Sequence, residues 1–236
     1  MSCLVPFPAR PGLPRLYCVP HAGGGASIYR PWADGLVAAC AVVGVQPPGR
    51  EQRLREEPPG AIGVLADEVA AAIDLADDGP FALFGHSLGA LIAYEVARRL
   101  EALGRPPIRL YVSGCRAPHL ERAGAPVDDA ELLARVQTLG GMPAQLLANP
   151  DVLAIYLPTL KADYRLALGY VRAPGPPLAC PITALGGIAD EAVPRPDLTA
   201  WRASTTGAFE AIIFPGDHFY LAERRAEVLA LVAGRL

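Results

Sequence analysis

Phe81-Ala-Leu-Phe-Gly-His-Ser-Leu-Gly-Ala90 joins an apolar run, a glycine-flanked turn and the start of a helical pattern. Pro80 to Phe84 reads as a buried strand. Gly85-His86-Ser87-Leu88-Gly89 then turns the chain, and Leu91, Ile92, Tyr94, Val96 and Leu100 continue at helical spacing until Gly104. Strand, G-x-S-x-G and helix in this order are the setting of a nucleophile elbow. The turn is so tight that only small residues fit beside the serine, and glycine tolerates strained backbone at low steric cost. Ser87 is therefore expected to present its hydroxyl above the sheet, at a helix N-terminus whose partial positive charge favours a developing oxyanion.

Upstream, Arg15-Leu-Tyr-Cys-Val19 is a strand candidate followed directly by Pro20-His-Ala-Gly-Gly-Gly-Ala-Ser27. A glycine cluster after an early strand lets the backbone approach a ligand closely, and in elbow hydrolases this loop supplies the second oxyanion amide. Ala22 is the candidate donor, beside the amide of Leu88; the plainer alternative is a turn into a helix from Tyr29 to Cys40. Ala41 to Val45 is a second strand. Gln46-Pro-Pro-Gly-Arg-Glu-Gln-Arg53 holds too many breakers for regular structure. Arg50 and Arg53 there could grip an anion, but such arginines more often tie a loop to the body. Ile62, Leu65, Val69, Ala72 and Ile73 mark an amphipathic helix ending near Asp77.

Downstream of the elbow, Ile108 to Ser113 is another strand, and the alternation of strands with helices predicts a parallel, doubly covered α/β sheet. From about residue 115 to residue 172 no strand is expected. Asp128-Asp-Ala-Glu131 reads as a capping box for a helix bearing Leu132, Leu133, Val136 and Leu139, closed by Gly140-Gly141. Pro150 starts a further helix toward Leu157, and Pro158 heads a third through Leu160, Tyr164 and Leu168. This helical insertion is expected to form a lid that excludes water and whose apolar face lines an acyl channel. The strands Cys180–Leu185 and Phe209–Phe214 follow, with helices expected over Asp197–Thr206 and Leu221–Arg235.

Each late strand ends in a loop with a titratable residue, where α/β sheets place their chemistry. A serine hydroxyl needs a base, and the base needs an acid to set its tautomer. Ser87, Asp190 and His218 follow the chain order Ser, acid, His of elbow hydrolases. Of the four histidines, only His218 follows a late strand; His86 lies inside the turn and is expected to point away from the hydroxyl. Glu191 and Asp217 are rival acids, with Asp217 better suited to stabilising its own turn. Asp163 falls within the lid and would be badly placed for that role.

The 236 residues, more than half of them apolar, suit one sizeable domain with its lid as an insertion. Net charge is −3 without a basic block, so nucleic acid is not an expected partner. No stretch is apolar enough to span a bilayer and no secretory signal is read at the N-terminus. The five scattered cysteines are expected to be buried, reduced thiols, which suits the cytoplasm. No metal-ligand spacing occurs, and neither metal nor organic cofactor is expected.

Taken together, Pro20–Ser27, Pro48-Gly-Arg-Glu-Gln-Arg53, Gly85-His-Ser-Leu-Gly-Ala90, Ser113-Gly-Cys-Arg-Ala-Pro118, Leu139-Gly-Gly-Met-Pro143, Asp190 and Gly216-Asp-His-Phe-Tyr220 resemble the type II, editing thioesterases of polyketide and nonribosomal peptide synthesis. The resemblance spans nearly the whole chain. It implies an α/β-hydrolase with a mostly parallel central sheet flanked by helices and a helical lid. It further implies Ser87, Asp190 and His218 as a triad, with Ala22 and Leu88 as the oxyanion hole. The implied reaction is hydrolysis of acyl groups from the phosphopantetheine arm of an acyl or peptidyl carrier protein, the implied partner. The chain departs from the pattern at Gly25, where a serine is expected, at Leu88, where methionine is common, and at Gln46-Pro47, where an apolar residue is usual. From the residues alone, a general carboxylesterase or lipase, an acyltransferase and a catalytically silent binding partner remain open.

Overall fold

A computed structural model describes residues 2–76, 79–122, 128, 131–134 and 150–236. Its centre is a seven-stranded sheet: β1 (Leu4–Pro6), β2 (Arg15–Val19), β3 (Ala41–Val45), β4 (Phe81–His86), β5 (Arg109–Ser113), β6 (Ile182–Gly187) and β7 (Phe209–Phe214). The order across the sheet is β1-β3-β2-β4-β5-β6-β7. All neighbours are parallel except β1, which pairs antiparallel to β3 on one edge. This edge strand was not anticipated; its three residues are too few to show a period.

The sheet is buried on both faces, and the strand alternation shows why. Tyr17, Val19, Leu83, Leu110, Val112, Ile182 and Ala184 belong to one core cluster. Their chain neighbours Leu16, Cys18, Ala82, Phe84, Tyr111 and Leu185 belong to the other. Successive side chains point to opposite faces, so apolar residues on both faces demand cover on both sides. Helices α2 (Ile62–Ala76) and α3 (Leu88–Ala102) cover the first face through Leu65, Val69, Ile73, Leu91 and Val96. Helices α1 (Arg30–Leu36) and α6 (Arg225–Ala233) cover the second through Trp32, Leu36, Val228 and Val232. Gly104, at φ +77°, closes α3: its amide reaches the carbonyl of Glu101, and that of Arg105 the carbonyl of Leu100.

Several helices are shorter than their apolar patterns suggest. The Tyr29–Cys40 expectation resolves into a 3₁₀ turn, Ala26–Tyr29, and α1. Asp197–Thr206 resolves into α5 (Arg195–Thr199) and a 3₁₀ turn from Ala200 to Ser204 around the fully buried Trp201. The last helix begins only at Arg225, because residues 217–224 form the turns that follow β7.

Between β5 and β6 lies the insertion. Asp128 caps the turn at residues 131–134, its carboxylate accepting from the Glu131 amide at 2.9 Å. Val136, Leu139 and Gly140-Gly141 lie outside the described residues. Beyond them, one helix replaces the two expected: α4 (Pro150–Leu168) runs straight through Pro158. An internal proline removes a backbone hydrogen bond and typically costs about 3 kcal/mol. On either side of Pro158, Tyr156 lies against Gly23 and Asp163 accepts from the Gly23 amide.

Candidate active site

The elbow is where backbone geometry and sequence meet most tightly. Ser87 has φ 54° and ψ −119°, a conformation that non-glycine residues seldom adopt and that is kept only where the surroundings enforce it. A Cβ on Gly85 would strike the carbonyl of Gly89, and one on Gly89 would strike the carbonyl of Val19. Strand β4 thus passes under the first turn of α3 with no room for a side chain. The Ser87 amide donates to the carbonyl of Ser113 at 2.8 Å, and Ser87 remains partly exposed.

Strands β6 and β7 deliver the other two residues. Their register pairs Gly187 with Phe214, so the loops that follow leave the sheet side by side. A Cβ on Gly187 would strike the carbonyl of Asp217, which is how closely the loops approach. Across that gap His218 Nδ1 and Asp190 Oδ2 are 2.7 Å apart, and the other Asp190 oxygen accepts from the Ala192 amide at 3.0 Å. With Asp190 as the acceptor, His218 carries its proton on Nδ1 and leaves Nε2 free to take another. Asp217 instead accepts from the Phe219 amide at 2.8 Å and shapes its own turn.

Ser87, His218, Ala22 and Leu88 all line one cavity of about 210 Å³. Its cover comes from α4 through Leu160, Tyr164, Ala167 and Leu168, its far wall from Ala192 and Val193. A roomier cleft of about 570 Å³ lies between residues 49–60 and the outer side of α4, away from Ser87, Asp190 and His218. The small cavity is the one with chemistry in it.

A second buried polar chain runs behind it. His86 Nδ1 bonds the Ser113 hydroxyl at 2.9 Å, which bonds the Tyr220 hydroxyl at 2.7 Å. The rings of His86 and His218 are 5.0 Å apart. Burial holds His86 well below its usual range, with His218 and His21 adding to the effect. His21, packed on Phe219, is lowered to about 4, mainly by burial and then by His218 and Arg50. Both are thus neutral at pH 7 and leave His218 without a charged histidine beside it.

The thioesterase domain profile matches residues 14–235, nearly the whole chain. The chain belongs to the thioesterase family.

The chain is 39% identical to the thioesterase PikA5 of Streptomyces venezuelae over 225 residues, covering 94% of this chain and 80% of that one. The thioesterase superposes on BorB, the type II thioesterase of the borrelidin biosynthetic cluster, with a TM-score of 0.92 and 39% identity, over 100% of this chain and 98% of that one. It matches RedJ, the thioesterase of the prodiginine pathway in Streptomyces coelicolor, with a TM-score of 0.88 and 42% identity, over 94% and 90%. Its fold is that of the α/β-hydrolases in this type II group.

The departures from the family pattern find structural partners in this thioesterase. Gln46 is fully buried; its Oε1 accepts from the Ala26 amide at 3.0 Å and its Nε2 donates to the carbonyls of Pro47 and Arg50. It therefore staples the glycine loop to the Pro-Gly-Arg loop. Gly25 faces the Glu51 carboxylate, which would have to move aside for a Cβ, and Glu51 accepts from the Ser27 hydroxyl at 2.5 Å. Arg53 ties its loop to the body, donating to the Gln46 carbonyl at 3.0 Å and pairing with Glu56 and Glu68.

Sequence reasoning set Asp163 aside. It is buried, and its Oδ2 accepts from the Gly23 amide at 2.7 Å and from the Arg50 guanidinium. The available signal was spacing: Tyr156, Thr159, Leu160 and Asp163 recur at three and four, one face of a helix.

All five cysteines are buried free thiols. Burial pushes Cys3 up to about 11 and Cys40 up to about 12, so both stay protonated and unreactive. Among the described residues no helix is long and apolar enough to cross a membrane, and no group of three or more His, Cys, Asp or Glu could hold a metal ion.

Proposed function

We propose that this thioesterase uses Ser87, His218 and Asp190 as a catalytic triad to hydrolyse acyl groups from the phosphopantetheine arm of acyl or peptidyl carrier proteins. The work would be editing: clearing synthases that are stalled or wrongly primed, in the cytoplasm. One observation carries the reading. A carboxylate-oriented histidine and an elbow serine face the same small cavity beneath an apolar helix.

The chemistry follows from the atoms. His218 Nε2 takes the Ser87 proton as Oγ attacks the thioester carbonyl. Asp190 holds the ring in the required tautomer and steadies the imidazolium. The oxyanion is received by the amides of Leu88, at the N-terminus of α3, and Ala22; each such donor is worth about 3 kcal/mol in the transition state. His218 then protonates the departing pantetheine thiolate, and the acyl group stays on Ser87. Water, deprotonated by His218, attacks the acyl-serine, and Ser87 leaves with its proton restored. No step calls on a metal or an organic cofactor. The apolar side of α4 shields the acyl-enzyme from stray water and makes contact with the acyl chain.

The test is mass spectrometry of acylated carrier proteins after incubation. Free thiol carriers should accumulate with the native chain and not with Ser87→Ala. Equal or faster turnover of a simple oxygen ester would replace the carrier-thioester reading with a general esterase.

A further inference from the structure

We propose that Asp163 is a positioning residue by which the lid helix α4 sets the oxyanion loop, so that the lid is a working part of the reaction centre as well as its cover. The inference rests on the thioesterase reading above and deepens it. One carboxylate oxygen of Asp163 accepts at once from the Gly23 amide, 2.7 Å away, and from the Arg50 guanidinium. Arg50 also donates to the carbonyl of Pro48. Arg50 and Asp163 are both buried, 7% and 3% exposed, so water does little to weaken either bond.

Gly23 directly follows Ala22, the proposed oxyanion donor. At φ +76°, its backbone is one that a side chain would strain, and it is pinned from three sides. The Asp163 carboxylate holds its amide, while Tyr156 and Leu160 fill the space that a Cβ would need. One turn earlier on α4, the Thr159 hydroxyl donates to the Gly49 carbonyl at 2.9 Å, next to Arg50. Residues 156, 159, 160 and 163 thus form a single helical face seated on both loops. Among the described residues, Asp163 Oδ2 is the acceptor recorded for the Gly23 amide. Without the Asp163 carboxylate, the Gly23 amide and the Arg50 charge lose their partner together, and the loop carrying Ala22 loses its anchor on α4.

The test compares Asp163→Leu, which fills the space without an acceptor, with Asp163→Asn, which keeps an oxygen for Gly23. With an acyl-pantetheine substrate, kcat per titrated Ser87 should fall about 30-fold in Asp163→Leu, less than the roughly 10²–10³ for deleting a donor outright. KM should stay near native, and Asp163→Asn should recover most of kcat. A pantetheine trifluoromethyl ketone, to which Ser87 adds to give an oxyanion, should weaken in proportion to kcat. A purely structural role would lower the melting temperature or the active fraction and leave kcat per active serine and analogue affinity unchanged, which would overturn the proposal. Should the leucine variant not fold, NMR of the native chain decides: a slowly exchanging, downfield Gly23 amide proton supports the contact, and a fast-exchanging one overturns it. An inert native chain on every acyl thioester would instead overturn the thioesterase reading itself.

Discussion

His218 Nδ1 and Asp190 Oδ2 stand 2.7 Å apart, with the Asp190 side chain fully shielded from solvent. The two residues leave adjacent parallel strands, so the pair exists only when β6 and β7 are zipped in register. A carboxylate buried with one imidazole and one amide as partners sets a tautomer that a solvated one would not hold. Asp190→Asn should therefore lower kcat by about 10⁴-fold while the far-ultraviolet dichroism stays native. Asp217→Asn should keep near-native kcat, since Asp217 serves its own turn. Steady-state kinetics on the two variants side by side would separate the acids.

The elbow is held by contacts that admit no side chain. Gly85→Ala or Gly89→Ala would force a methyl into a main-chain carbonyl, where nothing flexible can yield. Overpacking of this kind costs about 1–3 kcal/mol or more. Both variants should melt earlier than native and lose fluorophosphonate labelling of Ser87. Native melting with full labelling would mean that the turn is looser than these contacts imply.

Acid should weaken the fold through His21 and His86. Both are held neutral in the folded chain, His21 down to about 4 and His86 well below its usual range. In the unfolded chain each titrates near about 6.5. Between these limits the unfolded chain binds more protons, so stability rises with pH from about 4 to about 6.5 and falls as the solution is acidified through that window. Denaturant melts at stepped pH should show this slope, and His86→Gln should flatten it. A slope of opposite sign would mean that these rings gain a proton on folding.

Arg53 is buried at 6% exposure, with Gln46, Glu56 and Glu68 as its partners. Arg53→Met keeps the stem and removes these charged hydrogen bonds, at a cost of about 2 kcal/mol. The variant should unfold at lower urea and still turn over substrate with near-native kcat. Loss of kcat without loss of stability would move Arg53 from anchoring its loop to serving the reaction.

Much of this was legible in one dimension. The alternation of strand candidates with helical patterns announced a parallel sheet covered on both faces, because parallel strands need crossover helices that pack on the sheet. Gly85 and Gly89 flanking Ser87 announced the elbow, because no other residue fits there. Chain order narrowed the base to His218. The three-residue β1 left no period to read, and α4 continues through Pro158, where the sequence reading placed a break.

The sequence alone therefore announced β2 to β7, the turn that strains Ser87, and the family resemblance; the first two rest on local sterics and short patterns, the third on motifs spread over nearly the whole chain. The tertiary structure alone decided which carboxylate meets His218 and what Asp163 does. Asp190 and His218 are 28 residues apart, and Gly23 and Asp163 are 140 apart. Partners so distant meet only because strands and helices far apart in the chain pack together, and no local pattern records that.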